Sequence, residues 1–481
     1  MAERSLKEKT AKGLFWGGVS NGAQQLLGML FGIYLARILN AEDYGLVGML
    51  AIFTGIAGTI INSGFTVALA NKQEVSEREY NAVFWFMTFT GAILYVMLFL
   101  AAPLIAAFYG RPELTSLSRI LFISFFFSGV AGVPYTVMFK RLMVKEQAKI
   151  DVFSLFVSGI VGVVLAMRGM AYWALATQTV TYVSVNSLLK CVISPWRPRL
   201  IFDFRPLRGM FSFSAKLFLT NIFTQVNNNI FSVLLGKLYT ATQVGYYTQG
   251  YKWMSMGNSL LSSMINSVAQ PVLVEVREDD ERLAKIFRKM TRFSVFLSFP
   301  LMLGFAFVAK EFILITIGEK WLPSVPILQL LCVIGMIYPM SFLYTQLLIS
   351  LGKSDIYLKG HLFQGIIQLG TLLAIARWGI YPMIIAYILT YFLTFSYWFY
   401  AIKPLINLRL SVLVKDISPY LAITLATFLL VFLITFKMEN LYLLLASKVI
   451  LSASIYSGLL WLSGSVIFKE SINLILRKRA S

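Results

Sequence analysis

Histidine occurs once in the 481 residues, at His361, and cysteine only at Cys191 and Cys332. Ligands this isolated form neither a metal-binding constellation nor a disulfide framework, so no metal and no cofactor is expected, and both cysteines read as packing residues. Charge is sparse as well: Asp, Glu, Lys and Arg supply 13% of the chain, where soluble domains average about 25%. Acidic residues avoid the apolar stretches, with Asp151 and Glu311 the closest to them. A proton or sodium relay needs a buried carboxylate, so ion-coupled export of cationic compounds is disfavoured. The glycine-rich phosphate loop of nucleotide hydrolases is missing, and no internal segment is long enough for a nucleotide-binding domain, which speaks against ATP hydrolysis. No folded domain fits in the loops on the opposite side either, which disfavours a membrane glycosyltransferase, ligase or polymerase.

What fills the chain instead is hydrophobic residues, 58% of it, at a mean hydropathy of +0.74. A bilayer core takes roughly 20 residues of helix, and about fourteen apolar stretches of that length lie between residues 13 and 467. The N-terminus begins charged but lacks a small-residue cleavage site behind its apolar run, so it is expected as a retained first helix. The net charge of +20 would suggest nucleic acid in a soluble protein. Here most Lys and Arg fall in alternate loops, as the positive-inside rule requires of cytoplasmic ones. Nucleic acid is therefore not an expected partner, both termini are expected in the cytoplasm, and the span count is expected to be even.

A hairpin recurs at an offset of 200: Leu35, Arg37 and Gly45 match Leu235, Lys237 and Gly245. A second pair matches Leu165 to Tyr172 with Leu373 to Tyr381. The expected fold is therefore an all-α polytopic membrane protein with two six-helix lobes related by a pseudo-two-fold axis along the membrane normal, and two C-terminal helices added. The expected divisions are an N-lobe at 1–190, an interfacial linker at 191–214 with Pro195, Pro198 and Pro206, a C-lobe at 215–403, and a helix pair at 404–481. Lobes related in this way commonly rock about a substrate site between them.

Polar groups at membrane depth are the candidate site residues. Lys252, amid Tyr246, Tyr247, Gln249 and Tyr251, reads as a cavity cation for an anionic substrate group, or as a lysine that snorkels or pairs with a carbonyl. Asn21, Gln24 and Gln25 in the first span, and Asn227, Asn228 and Asn229 in the seventh, either bond sugar hydroxyls or lock helices together. Arg37 and Lys237 close the two repeat hairpins. Lys72, Lys140, Arg141 and Lys216 form a cytoplasmic mouth that gathers a phosphate head group, or are ordinary inside positives. His361, Gln364 and Gln368 share one helix face and read as helix-helix contacts.

The stretches YLARILNAEDYGLVGML (Tyr34 to Leu50), NAVFWF (Asn81 to Phe86), APLIAAFYGRPEL (Ala102 to Leu114), SPWRPRL (Ser194 to Leu200) and LLGKLYTATQVGYYTQGYK (Leu234 to Lys252), in this order, resemble the polysaccharide-transporter branch of the multidrug/oligosaccharidyl-lipid/polysaccharide flippase superfamily, most closely the Wzx-type flippases of lipopolysaccharide and exopolysaccharide export. The resemblance implies a bacterial inner-membrane transporter, not an enzyme, whose substrate is an undecaprenyl-pyrophosphate-linked oligosaccharide. Its partners would be that lipid-linked substrate, membrane lipids and polysaccharide-assembly proteins. The resemblance also implies a cationic cavity with Lys252 as its cation and Asn21, Gln24, Gln25, Asn62 and Asn227 to Asn229 as its polar lining. Some flippases place an arginine mid-way along the first span, where this chain has none nearer than Arg37. A drug antiporter of the same superfamily and a membrane enzyme of polysaccharide assembly are the alternatives.

Overall fold

The computed structural model describes the backbone of residues 2–62 and 64–477, and the side chains of 16–56, 64–211, 221–259, 272–353, 355–471 and 473 with a few positions between 261 and 269. Among the described residues every regular element is helical, as lipid demands of a chain that must satisfy its own backbone polar groups. Two compact units divide after Gly245. The first contains α1 (Ala2–Ile38), α2 (Ala41–Met49), α3 (Ala51–Asn62), α4 (Phe65–Asn71), α5 (Glu77–Tyr109), α6 (Glu113–Leu121), α7 (Ile123–Lys140), α8 (Val144–Met167), α9 (Tyr172–Ile193), α10 (Leu207–Leu238) and the opening turn of α11 (Ala241–Glu275). The second contains the rest of α11 with α12 (Asp280–Phe307), α13 (Ala309–Thr316), α14 (Ser324–Ser350), α15 (Ser354–Ile375), α16 (Ile380–Ile402), α17 (Leu410–Thr435), α18 (Leu441–Leu462) and α19 (Val466–Arg477).

Helices cover all the expected spans, with 45–70 and 116–138 made of more than one. Eight are long and apolar enough to cross a membrane, and α1 with α2 makes a ninth candidate bent by 120°. The long helices outside this set, α9, α10, α11 and α15, carry amides, hydroxyls and lysines along their length. Hydropathy is continuous from 45 to 70, but the chain there folds as three short helices, with Gly64 at φ +73° opening α4. The break gives α4 a C-terminus of its own at Asn71.

Small residues set the close helix crossings, as in membranes generally. A side-chain carbon on Gly91 of α5 would lie 2.7 Å from the Phe125 carbonyl of α7, and one on Gly129 would lie 2.5 Å from the Met87 carbonyl, so the two helices meet backbone to backbone. In α1, Gly18, Gly22 and Gly28 set no such crossing among the described residues, having nothing within 4 Å of a side-chain position. The linker runs along the start of α5. Trp196 Nε1 donates to Glu77 (3.0 Å), Trp85 Nε1 donates to the Arg199 carbonyl (2.7 Å), and the Arg199 amide donates to buried Asn81 (2.6 Å). Leu200, Ile201 and Phe202 remain exposed beside these bonds.

In the second unit, Phe287, Tyr344 and Trp398 anchor a core built from α12, α14 and α16. Helices α17 and α18 pack on the same core through Tyr420, Tyr456 and Leu460. Asp416 of α17 accepts both Arg288 Nε (2.7 Å) and Nη2 (3.0 Å) from α12, a bidentate geometry that fixes orientation as well as charge.

Candidate functional site

The repeat hairpins agree down to their caps. The Asn40 amide donates to Asp43 Oδ2 (2.9 Å) where α2 begins, and the Thr240 amide donates to Gln243 Oε1 (3.3 Å) where α11 begins. Both are half of a capping box, in which the third helical residue reaches back to the N-cap amide. The two copies then meet reciprocally: a side-chain carbon on Gly45 would overlap the Ala241 carbonyl, and one on Gly245 would overlap the Ala41 carbonyl. Only hydrogen at both glycines permits this approach. Around it, Tyr109 Oη donates to the Met49 carbonyl (3.1 Å), Arg111 pairs with Glu42 (3.1 Å), and Gly236 sits against Tyr109 and Met49. Lys237 donates to the Phe108 carbonyl and lies 4.9 Å from that ring, tying α10 to α5. Arg37 is exposed at the end of α1.

The amides expected to line a cavity divide. Asn21 and Asn228 are exposed, Gln25 is half-buried, and Asn227 is buried. Gln24 donates to Ser20 one turn back (3.0 Å). Asn229 donates to the Gln225 carbonyl (2.9 Å), and the ends of both side chains press on Gly55 of α3, within 3.3 Å of where its side chain would begin. This amide pair holds α10 to α3. The side chains of Asn62 and Lys216 lie outside the described residues.

At the expected mouth, Lys72 pairs with Glu79. Lys140 donates to the carbonyls of Leu69 (3.2 Å), Lys72 and Gln73 (3.4 Å), capping the end of α4 that the broken second span creates. A lysine there satisfies orphan carbonyls and complements the helix dipole. Lys140→Met is expected to lower stability by about 1 kcal/mol, read as a lower thermal midpoint in detergent together with faster amide exchange in residues 65–71. An unchanged midpoint would remove the cap from the account. Arg141 is exposed. A groove of about 790 Å³ beside these residues faces Lys72, Arg78 and Arg205 against Glu74, Glu79 and Asp203, so its charges balance.

In the second unit, Lys252 is half-buried on α11 with its ammonium 5.8 Å from the Trp253 ring. His361 packs between Tyr357 and Trp398, at 4.5 and 5.5 Å between ring centroids. The expectation that no carboxylate is buried in the spans is overturned. Asp416 is 7% exposed against Arg288, and Glu311 is 6% exposed, 2.8 Å from Lys448. Glu311 follows the end of an apolar stretch in sequence, but the chain turns at Val308 and α13 packs on α18, carrying the carboxylate inward.

Sequence reading also missed a polar cluster in the first unit. Asp151 of α8 accepts Asn186 Nδ2 (2.8 Å) and lies 3.7 Å from Lys190, both on α9. Its sequence signal was the four-residue spacing of Asn186 and Lys190, one turn apart on the same face.

Residues 34–326 match the polysaccharide biosynthesis protein family. The teichuronic acid biosynthesis protein TuaB of Bacillus subtilis is 26% identical over 383 residues, covering 77% of this chain and 79% of that one. The lipopolysaccharide biosynthesis protein WzxC of Escherichia coli is 26% identical over 367 residues, covering 75% and 74%. The succinoglycan biosynthesis transport protein ExoT of Rhizobium meliloti is 24% identical over 297 residues, covering 62% and 60%. Among solved structures, the lipid II flippase MurJ in an inward closed conformation superposes with a TM-score of 0.78 at 13% identity, covering 95% of this chain and 99% of that one. An inward-facing multidrug resistance transporter of the MATE family superposes at 0.61 with 15% identity, covering 79% and 95%. With more than half of its length inside the family match and the fold of polytopic transporters along nearly all of it, this chain belongs to the polysaccharide biosynthesis protein family.

Proposed function

We propose that the protein is a flippase that carries an undecaprenyl-pyrophosphate-linked oligosaccharide repeat unit across a bacterial inner membrane by alternating access, with both termini cytoplasmic and no covalent bond made or broken. The observation that carries this is the family match taken on a chain of this architecture. Its longest helix-free stretch among the described residues is the linker of 194–206, so a member of a polysaccharide biosynthesis family built almost wholly of membrane helices serves that synthesis by moving material. Two lobes, 1–190 and 215–403, rock about a cavity in which Lys252 meets the pyrophosphate and the amides of α1, α3 and α10 meet the sugars. Arg37 and Lys237 lie at its outer rim, Lys72, Lys140, Arg141 and Lys216 at its inner mouth, and the helix pair of 404–481 is added to the second lobe. Membrane lipids and polysaccharide-assembly proteins are its further partners.

The drug-antiporter alternative draws on the likeness to multidrug transporters. The buried carboxylates of the second unit do not strengthen it, because Asp416 and Glu311 are already held by Arg288 and Lys448.

Leaflet-resolved transport of a fluorescent undecaprenyl-pyrophosphate oligosaccharide in proteoliposomes tests the proposal. Transport above empty vesicles is expected, and Lys252→Ala is expected to slow it about tenfold or more, the scale of one charge-assisted hydrogen bond. Transport that Lys252→Ala leaves untouched would keep the flippase and discard Lys252. Folded protein that transports nothing would discard the flippase.

A further inference from the structure

Within the first unit, α4, α7 and α9 line a half-open cavity of about 630 Å³, inside the roughly 300–1,000 Å³ range of small-molecule sites. Its two kinds of wall differ. On α7, Tyr135 and Phe139 stand one turn apart with their rings nearly parallel (27°, centroids 6.4 Å), and both are exposed to the space they line, at 43% and 54%. The other walls are mixed: Thr66 and Asn71 from α4 and Asn186 and Lys190 from α9 offer hydrogen-bonding groups, set among Val67, Ala70 and Val183. Asp151 pairs with Lys190 and accepts from Asn186, so the cation arrives with its counter-charge attached. The Lys190 ammonium also lies 5.1 Å from the Tyr135 ring and so joins the two walls.

The geometry points to a binding site for a sugar residue, a proposal that rests on the flippase reading and gives one sugar of that oligosaccharide a second place, apart from the amides of α1, α3 and α10. Each class of ligand meets different walls. A bare phosphate would have to compete with Asp151 for Lys190, and a cation would meet Lys190 itself. An acyl chain would pack on Val67, Ala70, Val183 and the rings but would leave Asn71, Asn186 and Lys190 desolvated with nothing to bond, which costs free energy. A pyranose matches both kinds of wall. Its C–H face stacks on the Tyr135 and Phe139 rings, while its hydroxyls, each donor and acceptor, meet amide and hydroxyl groups that are both as well. Lys190 supplies a strong donor to that space with its charge balanced by Asp151, and Asn186 and Asn71 supply amide oxygens beside it.

The test measures equilibrium binding to the full-length protein in nanodiscs of phosphatidylethanolamine and phosphatidylglycerol. The probes are undecaprenyl pyrophosphate alone and the same lipid bearing one glucose, one galactose or one N-acetylglucosamine. At least one sugar-bearing lipid is expected to bind about tenfold tighter than the bare lipid. Tyr135→Ala removes this preference and leaves bare-lipid affinity unchanged, whereas Tyr135→Trp, which restores an aromatic face, retains it. Tyr135 is too exposed for its truncation to collapse the core. A second variant removes both charges together, Asp151→Leu with Lys190→Met, and is expected to lose the preference as well without stranding a buried ion. If Tyr135→Ala weakens bare and sugar-bearing lipids equally, the cavity holds the lipid phosphate and the proposal fails. If both variants keep the wild-type preference, the sugar lies elsewhere while the flippase reading stands on its transport assay. If the wild-type protein prefers no sugar-bearing lipid yet transports the oligosaccharide, the site is overturned alone; if it transports nothing, both readings fall.

Discussion

Gly45→Val is expected to reduce transport at least about tenfold and to destabilise the folded protein by about 2–3 kcal/mol. The first side-chain carbon at residue 45 would fall on the Ala241 carbonyl, and a backbone oxygen, unlike the end of a flexible side chain, cannot swing aside. Both glycines are helical, so the restriction is one of space and not of backbone conformation. Gly245→Val is expected to behave alike, because it presses on Ala41 in the same way. The double variant should cost less than the sum of the two, since the first substitution has already parted the helices at the shared crossing. Gly28→Ala is the control: with nothing within 4 Å of the new carbon, its effect should stay within about 0.5 kcal/mol. Transport and thermal midpoint are measured together, and cysteines placed at Ala41 and Ala241 should become more reactive in the valine variants. Gly45→Val protein that transports and melts like the wild type would show that the crossing opens without cost.

That crossing was half legible in the sequence. The offset of 200 was visible because Leu35, Arg37 and Gly45 recur as Leu235, Lys237 and Gly245, although the matching caps at Asn40 to Asp43 and at Thr240 to Gln243 were not read. That Gly45 and Gly245 each exist for the other copy was not visible, since a glycine opening a helix carries no record of what approaches it. The helices themselves were plain, because an apolar stretch in lipid has no other way to satisfy its backbone. The break within 45–70 was not, because hydropathy runs through it unchanged. That break explains why Lys140 looked like a free inside cation: nothing in the sequence showed that α4 would end at Asn71 with carbonyls for it to cap. Among the candidate amides, Asn229 read equally well as a sugar ligand or a helix contact, and nothing in the sequence showed that it and Gln225 lie against Gly55. Of the cluster Asp151, Asn186 and Lys190, only Asp151 stood out in the sequence, because the bond between α8 and α9 that joins them spans 35 residues.

Lys448→Met should be among the most damaging single substitutions in the second unit, costing about 3–5 kcal/mol, because it strands a carboxylate that the fold has already stripped of water. Glu311 and Lys448 are 137 residues apart in sequence and 2.8 Å apart in space, with side chains 8% and 11% exposed. The ammonium also lies 4.4 Å from the Phe307 ring, so the lysine is held on two sides. Removing both charges, Glu311→Leu with Lys448→Met, should recover most of the loss, since an apolar pair of similar volume avoids the desolvation that the ion pair must offset. Thermal unfolding of the four proteins in detergent gives the coupling directly, and a double variant as unstable as the sum of the singles would deny the pair. Glu311→Gln separates structure from transport. It keeps an acceptor oxygen for Lys448 but cannot release a proton, so a flippase in which this pair is a brace should move the lipid-linked oligosaccharide within about twofold of the wild-type rate. A transporter in which Glu311 carries a coupling proton would instead lose its response to an imposed pH gradient. That response would return the antiporter reading to the front, with a residue attached to it.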